Sequence, residues 1–117
     1  MGDNVLFSGL TTTFLREFAF DLWVTSPLLV SLVLIVTVLG QAVGKIEKWS
    51  AFDSFYWSFI TATTVGYGDI RPQRRASRTL SIIIALIGFT LTGILVAVAV
   101  HAATVALAAH DAVMKTR

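Results

Sequence analysis

Thirty consecutive residues, Leu80 to Ala109, carry no acid and no permanent cation. Coiled as a helix, the run would be about 45 Å long, longer than the ~30 Å hydrocarbon core of a bilayer. A second apolar run, "PLLVSLVLIVTVLGQAV" from Pro27 to Val43, covers roughly 26 Å as a helix, and Leu22 to Ser26 can extend it. Both predict membrane-spanning helices, the longer one tilted or projecting beyond the lipid. Composition agrees: 56% of the 117 residues are hydrophobic and 14% charged, against about 25% charged in a soluble domain. This length suits one domain. With a net charge of +2 and its basic residues scattered or in one short loop, the chain is not expected to bind nucleic acid. The absence of cysteine excludes a disulfide framework and thiolate metal sites. No basic flank followed by a short apolar run and a cleavage site opens the chain, so the apolar runs read as permanent spans rather than a signal peptide.

Around the spans the pattern predicts further elements. Leu10, Phe14, Phe18 and Leu22 recur every four residues, and Thr13, Glu17 and Asp21 are read as the opposite stripe. This predicts an amphipathic helix over about 8–24 lying along the membrane interface; a simple prolongation of the first span is the other reading. Ser26 can cap the outer helix, 26–44, with Pro27 at its first position, where a missing N–H costs nothing. Ser50 and Asp53 match a capping box for a third helix over 50–63, "SFYWSFITAT" forming its body. At about 21 Å it is too short to cross a bilayer and too apolar for an ordinary exterior loop. A short apolar helix leading into the glycine-rich 64–69 suggests a re-entrant loop, which is tolerated at membrane depth only where protein buries it or it lines water. The inner helix is placed at 79–110. The expected fold class is all-α.

The segment "TATTVGYGD", residues 61–69, is poor helix material inside an oily chain. Gly66 and Gly68 adopt positive φ without steric penalty. If successive residues alternate between right- and left-handed conformations, the carbonyls of Thr64, Val65, Gly66 and Tyr67 point to one side and form a ladder, with the Thr64 hydroxyl as a further rung. One ladder is a poor ligand cage. Several around an axis make stacked oxygen rings able to replace the hydration shell of a dehydrated cation. Two spans from one chain cannot surround a pore, but identical copies around an axis can.

"TTVGYGD", with the order span, short helix, signature and span, resembles the potassium channels, and in particular their bacterial two-span pores, over about Pro27 to Ala109. The resemblance implies a potassium-selective homotetramer in a lipid bilayer. K⁺ would be held at Thr64, Val65, Gly66 and Tyr67, with Gly68 at the outer turn and Asp69 at the outer mouth. No cofactor is expected beyond the permeating ion. The membrane is expected to be the cell's inner (plasma) membrane, with both termini cytoplasmic. That orientation puts "RPQRRASR", residues 71–78, outside, with six basic residues outside and three inside, the reverse of the positive-inside rule. The family orientation is adopted because the signature is far more specific than a charge count. The arginines lack the regular every-third-residue run of a voltage sensor.

Supporting roles follow. Tyr56, Trp57 and Tyr67 can form an aromatic cuff holding the ring diameter through polar tips; interfacial anchoring is the alternative for tyrosine and tryptophan. Ile60 stands where some bacterial relatives have a glutamate paired with the filter aspartate, so Asp69 needs another partner, Trp57 or Tyr56. Gly88 falls at the family's hinge position; hinge and close packing both fit it, and Gly93 reads as packing. Phe89, Thr92, Val96, Val100 and Thr104 share a helical face that the family turns to the cavity, with Val100 and Thr104 nearest an inner gate. His101 sits beside them. Four protonated copies could repel one another and open the gate, or the residue is an interfacial histidine with no switching role. His110 reads as a solvated tail residue. Arg71 would form a cationic ring at the outer mouth.

Two other functions were weighed. "GYGD" also satisfies the short pattern of intramembrane aspartyl proteases, but neither span carries the second aspartate such chemistry needs, so no enzyme is expected. A non-selective cation channel of the same architecture is the remaining alternative; Tyr67 argues against it, a non-selective relative having aspartate there.

Overall fold

The computed structural model describes residues 2–116, with side chains from Asn4 onward. Three helices follow one another: α1 Gly2–Glu47, α2 Ala51–Ala62 and α3 Arg75–Lys115. No strand occurs among the described residues, which establishes the all-α class. α1 and α3 are both long and apolar enough to cross a membrane, and only 6% and 17% of their most apolar stretches are buried inside the chain. Their apolar surfaces are therefore left for lipid or for other protein.

The expected break at Ser26 and Pro27 is not there: α1 is helical straight through Pro27. Proline lacks the N–H that would bond the carbonyl one turn back, that of Trp23. The Ser26 hydroxyl takes its place, donating to the Trp23 carbonyl at 2.6 Å. Ser26 is thus a donor repairing a proline gap, a known accommodation in apolar surroundings, and not the acceptor of an N-cap. α3 also exceeds its expected bounds, beginning at Arg75 and ending at Lys115. α2 matches its sequence signals closely: Ser50 is the N-cap, its hydroxyl accepting from the Asp53 N–H, and Thr63 closes the C-terminus.

The chain forms two compact units, Pro27–Gly93 and Met1–Ser26 with Ile94–Arg117. The core of the first joins Val36, Val43, Trp57, Ala62 and Ile84, with Leu39, Trp49, Ile70, Leu80 and Ile87 packed against it. Small residues bring its backbones together. Gly40 and Gly44 lie against Ser58 and Ser54, and a Cβ on either glycine would collide with the opposing serine. Those serines are fully buried but satisfied within α2, Ser54 donating to Ser50 O and Ser58 to Phe55 O. Small-residue faces of this kind are how helices approach closely without a hydrophobic driving force.

In the other unit, Val98, Ala102 and Ala106 of α3 are buried. On α1, Leu10, Phe14, Phe18 and Leu22 are half-buried, and so are Thr13, Glu17 and Asp21. The polar stripe therefore does not oppose the apolar one. Adjacent positions are only about 100° apart on a helix, and one face takes in both. The side turned out carries Leu15, Phe20 and Trp23, all more than half exposed.

Candidate functional site

α2 ends where the glycine-rich segment begins. The Thr63 N–H and hydroxyl both reach the Phe59 carbonyl, at 2.9 and 2.7 Å. The next bonds turn the chain back along the helix it has just left: Thr64 N–H to Thr61 O and Gly66 N–H to Ile60 O, both 3.1 Å. Beyond this the backbone alternates. Thr64, Gly66 and Gly68 have φ of +64°, +54° and +78°, while Val65 and Tyr67 between them stay outside the left-handed region. Among the described residues no donor reaches the carbonyls of Thr64, Val65, Gly66 or Tyr67. The whole stretch from Thr63 to Asp69 is exposed in the isolated chain.

The glycines were legible as left-handed positions; the third such position, Thr64, was not. A β-branched residue at positive φ is a genuine outlier and stores about 1–3 kcal/mol of strain. Its place in the period, two residues before Gly66, was the only available signal.

Asp69 finds the partner that Ile60 cannot supply. The Tyr56 hydroxyl donates to Asp69 Oδ2 at 3.1 Å, tying α2 to the end of the alternating segment. Removal from water, and then the bond to Asp69, raise the Tyr56 pKa above that of an ordinary phenol, so the group remains a donor at neutral pH. Trp57 has a different role: it is buried and meets Trp49 edge-on at 5.3 Å. Tyr56, Trp57, Ile60, Gly66, Gly68 and Asp69 line a cavity of about 160 Å³ behind the segment. Tyr67 is 71% exposed and makes no hydrogen bond among the described residues, so a cuff partner for it would have to come from outside this chain.

The loop after Asp69 is anchored by a residue the sequence reading passed over. Glu47, at the end of α1, accepts from the N–H of Gln73 at 3.0 Å and of Arg74 at 2.9 Å. This sets a carboxylate just ahead of α3, where the positive end of the helix dipole favours it. Its one sequence signal was an acid flanked by Lys45 and Lys48. Arg71 lies beside Gly68, its Cδ 3.9 Å from where a Cβ on that glycine would stand.

Along α3, Phe89, Thr92, Val96, Val100 and Thr104 are all exposed, while Ile84, Gly88, Val98, Ala102 and Ala106 are buried. The five expected face residues thus share a side that the chain itself leaves uncovered. Gly88 packs against the backbone of Ala62, with which a Cβ would collide, whereas Gly93 has nothing within 4 Å. Of the two readings of Gly88, close packing is the one this contact fits. The packing expected of Gly93 has no partner among the described residues. His101 is exposed but not isolated: its Nδ1 lies 2.7 Å from Asp21 Oδ2, and the carboxylate is the more buried partner.

With this geometry in hand, comparison with known proteins is informative. A family described as "Ion channel" matches residues 28–105. The TWiK family of potassium channels protein 7 of Caenorhabditis elegans is 39% identical over 66 residues, 56% of this chain and 12% of that protein. Potassium channel subfamily K member 2 of Homo sapiens is 36% identical over 59 residues, 50% of this chain and 14% of the relative. A voltage-gated potassium channel of Aeropyrum pernix is 38% identical over 47 residues, 40% of this chain and 16% of its own length. The matches therefore span between 12% and 16% of these relatives. No solved structure gives a significant match.

Proposed function

The chain belongs to the ion-channel family, a family of membrane proteins and not of enzymes, and from that premise we propose that it forms a potassium-selective pore. The observation that carries the reading is the alternation of left-handed φ at Thr64, Gly66 and Gly68 within "TTVGYGD". Four such segments around an axis would stack the carbonyls of Thr64, Val65, Gly66 and Tyr67 into rings that replace the water around K⁺. Ions would pass in file, each displaced by the next, with no bond made or broken. The homotetramer is required because one chain supplies one ladder. The names of the relatives, all potassium channels, favour K⁺ over other cations. The two termini would lie on the cytoplasmic side of the cell's inner (plasma) membrane, with residues 71–78 outside.

Reconstitution into planar bilayers with K⁺ on one side and Na⁺ on the other tests this. A reversal potential close to the K⁺ equilibrium value is expected. A value near zero would replace the proposal with the non-selective pore, and a protein that stays monomeric would remove it altogether.

A further inference from the structure

The Asp21–His101 contact is the one ion pair among the described residues, and it joins positions 80 residues apart. It lies within a single compact unit, beside a packing contact of small side chains. His101 is next to Ala102 and one turn beyond Val98, both buried. Contacts among small apolar residues are non-directional and tolerate sliding and rotation of one helix on the other. A hydrogen bond of 2.7 Å does not, since it weakens steeply with angle. Within this unit the polar pair is the directed contact between α3 and α1, made by an imidazole 61% exposed and a carboxylate 18% exposed. His101 directly follows Val100 and stands three residues before Thr104, both on the exposed face of α3. Fixing the imidazole fixes the rotation of those residues.

We propose that Asp21 is a positioning residue for the C-terminal half of α3, and that with His101 it forms a proton-sensitive latch on conduction. The inference rests on the pore reading given above. With a neutral imidazole, Nδ1–H donates to the carboxylate. A proton taken up from water at Nε2 leaves that donor in place and turns a hydrogen bond to the carboxylate into an ion pair, a gain that solvent screening at the exposed imidazole keeps modest. Acidification tightens the latch and alkalinisation loosens it. Asp21 faces His101 from α1; Glu17 lies one turn earlier on the same half-buried side, and Arg16 is exposed. On α3 no other ionisable residue occurs between Leu80 and Ala109, and His110 and Asp111 lie more than two turns further on. The facing group is an acid, so protonation of His101 meets a countercharge inside its own chain. This differs from a gate driven apart by mutual repulsion of histidines: here the proton strengthens a contact within each subunit.

The test is K⁺ flux into proteoliposomes with the same pH on both faces, between pH 5.5 and 8, for wild type, Asp21→Asn, His101→Gln, the double variant and Asp21→Glu. Wild-type flux should rise by about two- to fivefold from pH 5.5 to pH 8 as the latch loosens, the scale of an ion pair whose imidazole is exposed. Asp21→Asn and His101→Gln should each flatten the profile, the double variant should do no more than either, and Asp21→Glu should retain the dependence. A flat wild-type profile, a slope surviving in either single variant, or a slope lost in Asp21→Glu overturns the latch. K⁺-over-Na⁺ selectivity measured on the same vesicles separates the two ideas: its absence defeats the pore reading, while selective flux with no pH dependence defeats the latch alone.

Discussion

Tyr56 holds the alternating segment by one directed bond to Asp69. Tyr56→Phe keeps the ring and its packing and removes only the hydroxyl. Hydrogen bonds to charged acceptors are stronger than neutral ones, so in the proposed pore the equilibrium of this segment between conducting and collapsed forms should shift towards collapse. Macroscopic current decay under a sustained voltage step would show this; a decay unchanged from wild type would mean that the bond carries no load. Since the phenol pKa is raised, the support is fully present below the ordinary tyrosine value and lost only as pH climbs through the higher folded value. The difference in decay between wild type and Tyr56→Phe should therefore be the same at pH 7 and at pH 9.

At the scale of elements, the continuity of α1 depends on a serine that substitutes for a missing N–H. Ser26→Ala should orphan the Trp23 carbonyl and lower the thermal stability of the assembled protein by about 1–2 kcal/mol. In a Pro27→Ala background the N–H is restored, and the same substitution should cost almost nothing. Equal costs in both backgrounds would show that the hydroxyl does not serve the proline gap. The glycines of α3 give a second contrast. Gly88→Ala drives a methyl into the Ala62 backbone and should destabilise by about 1–3 kcal/mol. Gly93→Ala enters open space within the chain and should stiffen the helix by about 1 kcal/mol. Detergent-resistant assembly on heating would rank the two; a Gly93 variant as impaired as the Gly88 one would mean that Gly93 meets protein beyond its own chain.

For the molecule as a whole, the apolar surfaces that α1 and α3 leave uncovered and the carbonyls of residues 64–67, unpartnered among the described residues, are both accounted for by the proposed assembly: lipid outside and further copies around the alternating segment. The field at the mouth of such an assembly can be tested through Arg71, exposed beside Gly68. Arg71→Gln should raise K⁺ conductance about two- to threefold at low ionic strength by removing a repelling ring. At 1 M salt, where charges are screened within about 3 Å, the difference should vanish. A salt-independent difference would point to a change in filter shape instead.

How much of this was legible in one dimension follows from the reach of each signal. The spans were readable because bilayer thickness sets a minimum apolar length. α2 was readable because its Ser50 cap acts over three residues, and the left-handed glycines because a missing Cβ is a property of one residue. Thr64 escaped because its conformation is imposed against its own preference. By itself, then, the sequence determined two long apolar helices, the short helix between them and the segment that offers backbone oxygens. Tertiary structure decided that Asp69 pairs with Tyr56, that Asp21 faces His101 rather than water, that Gly88 packs where Gly93 does not, and that the proline leaves α1 unbroken. Each of those depends on how far a helix is rotated towards its neighbour, a quantity set by packing between residues remote in the chain, which no local periodicity contains.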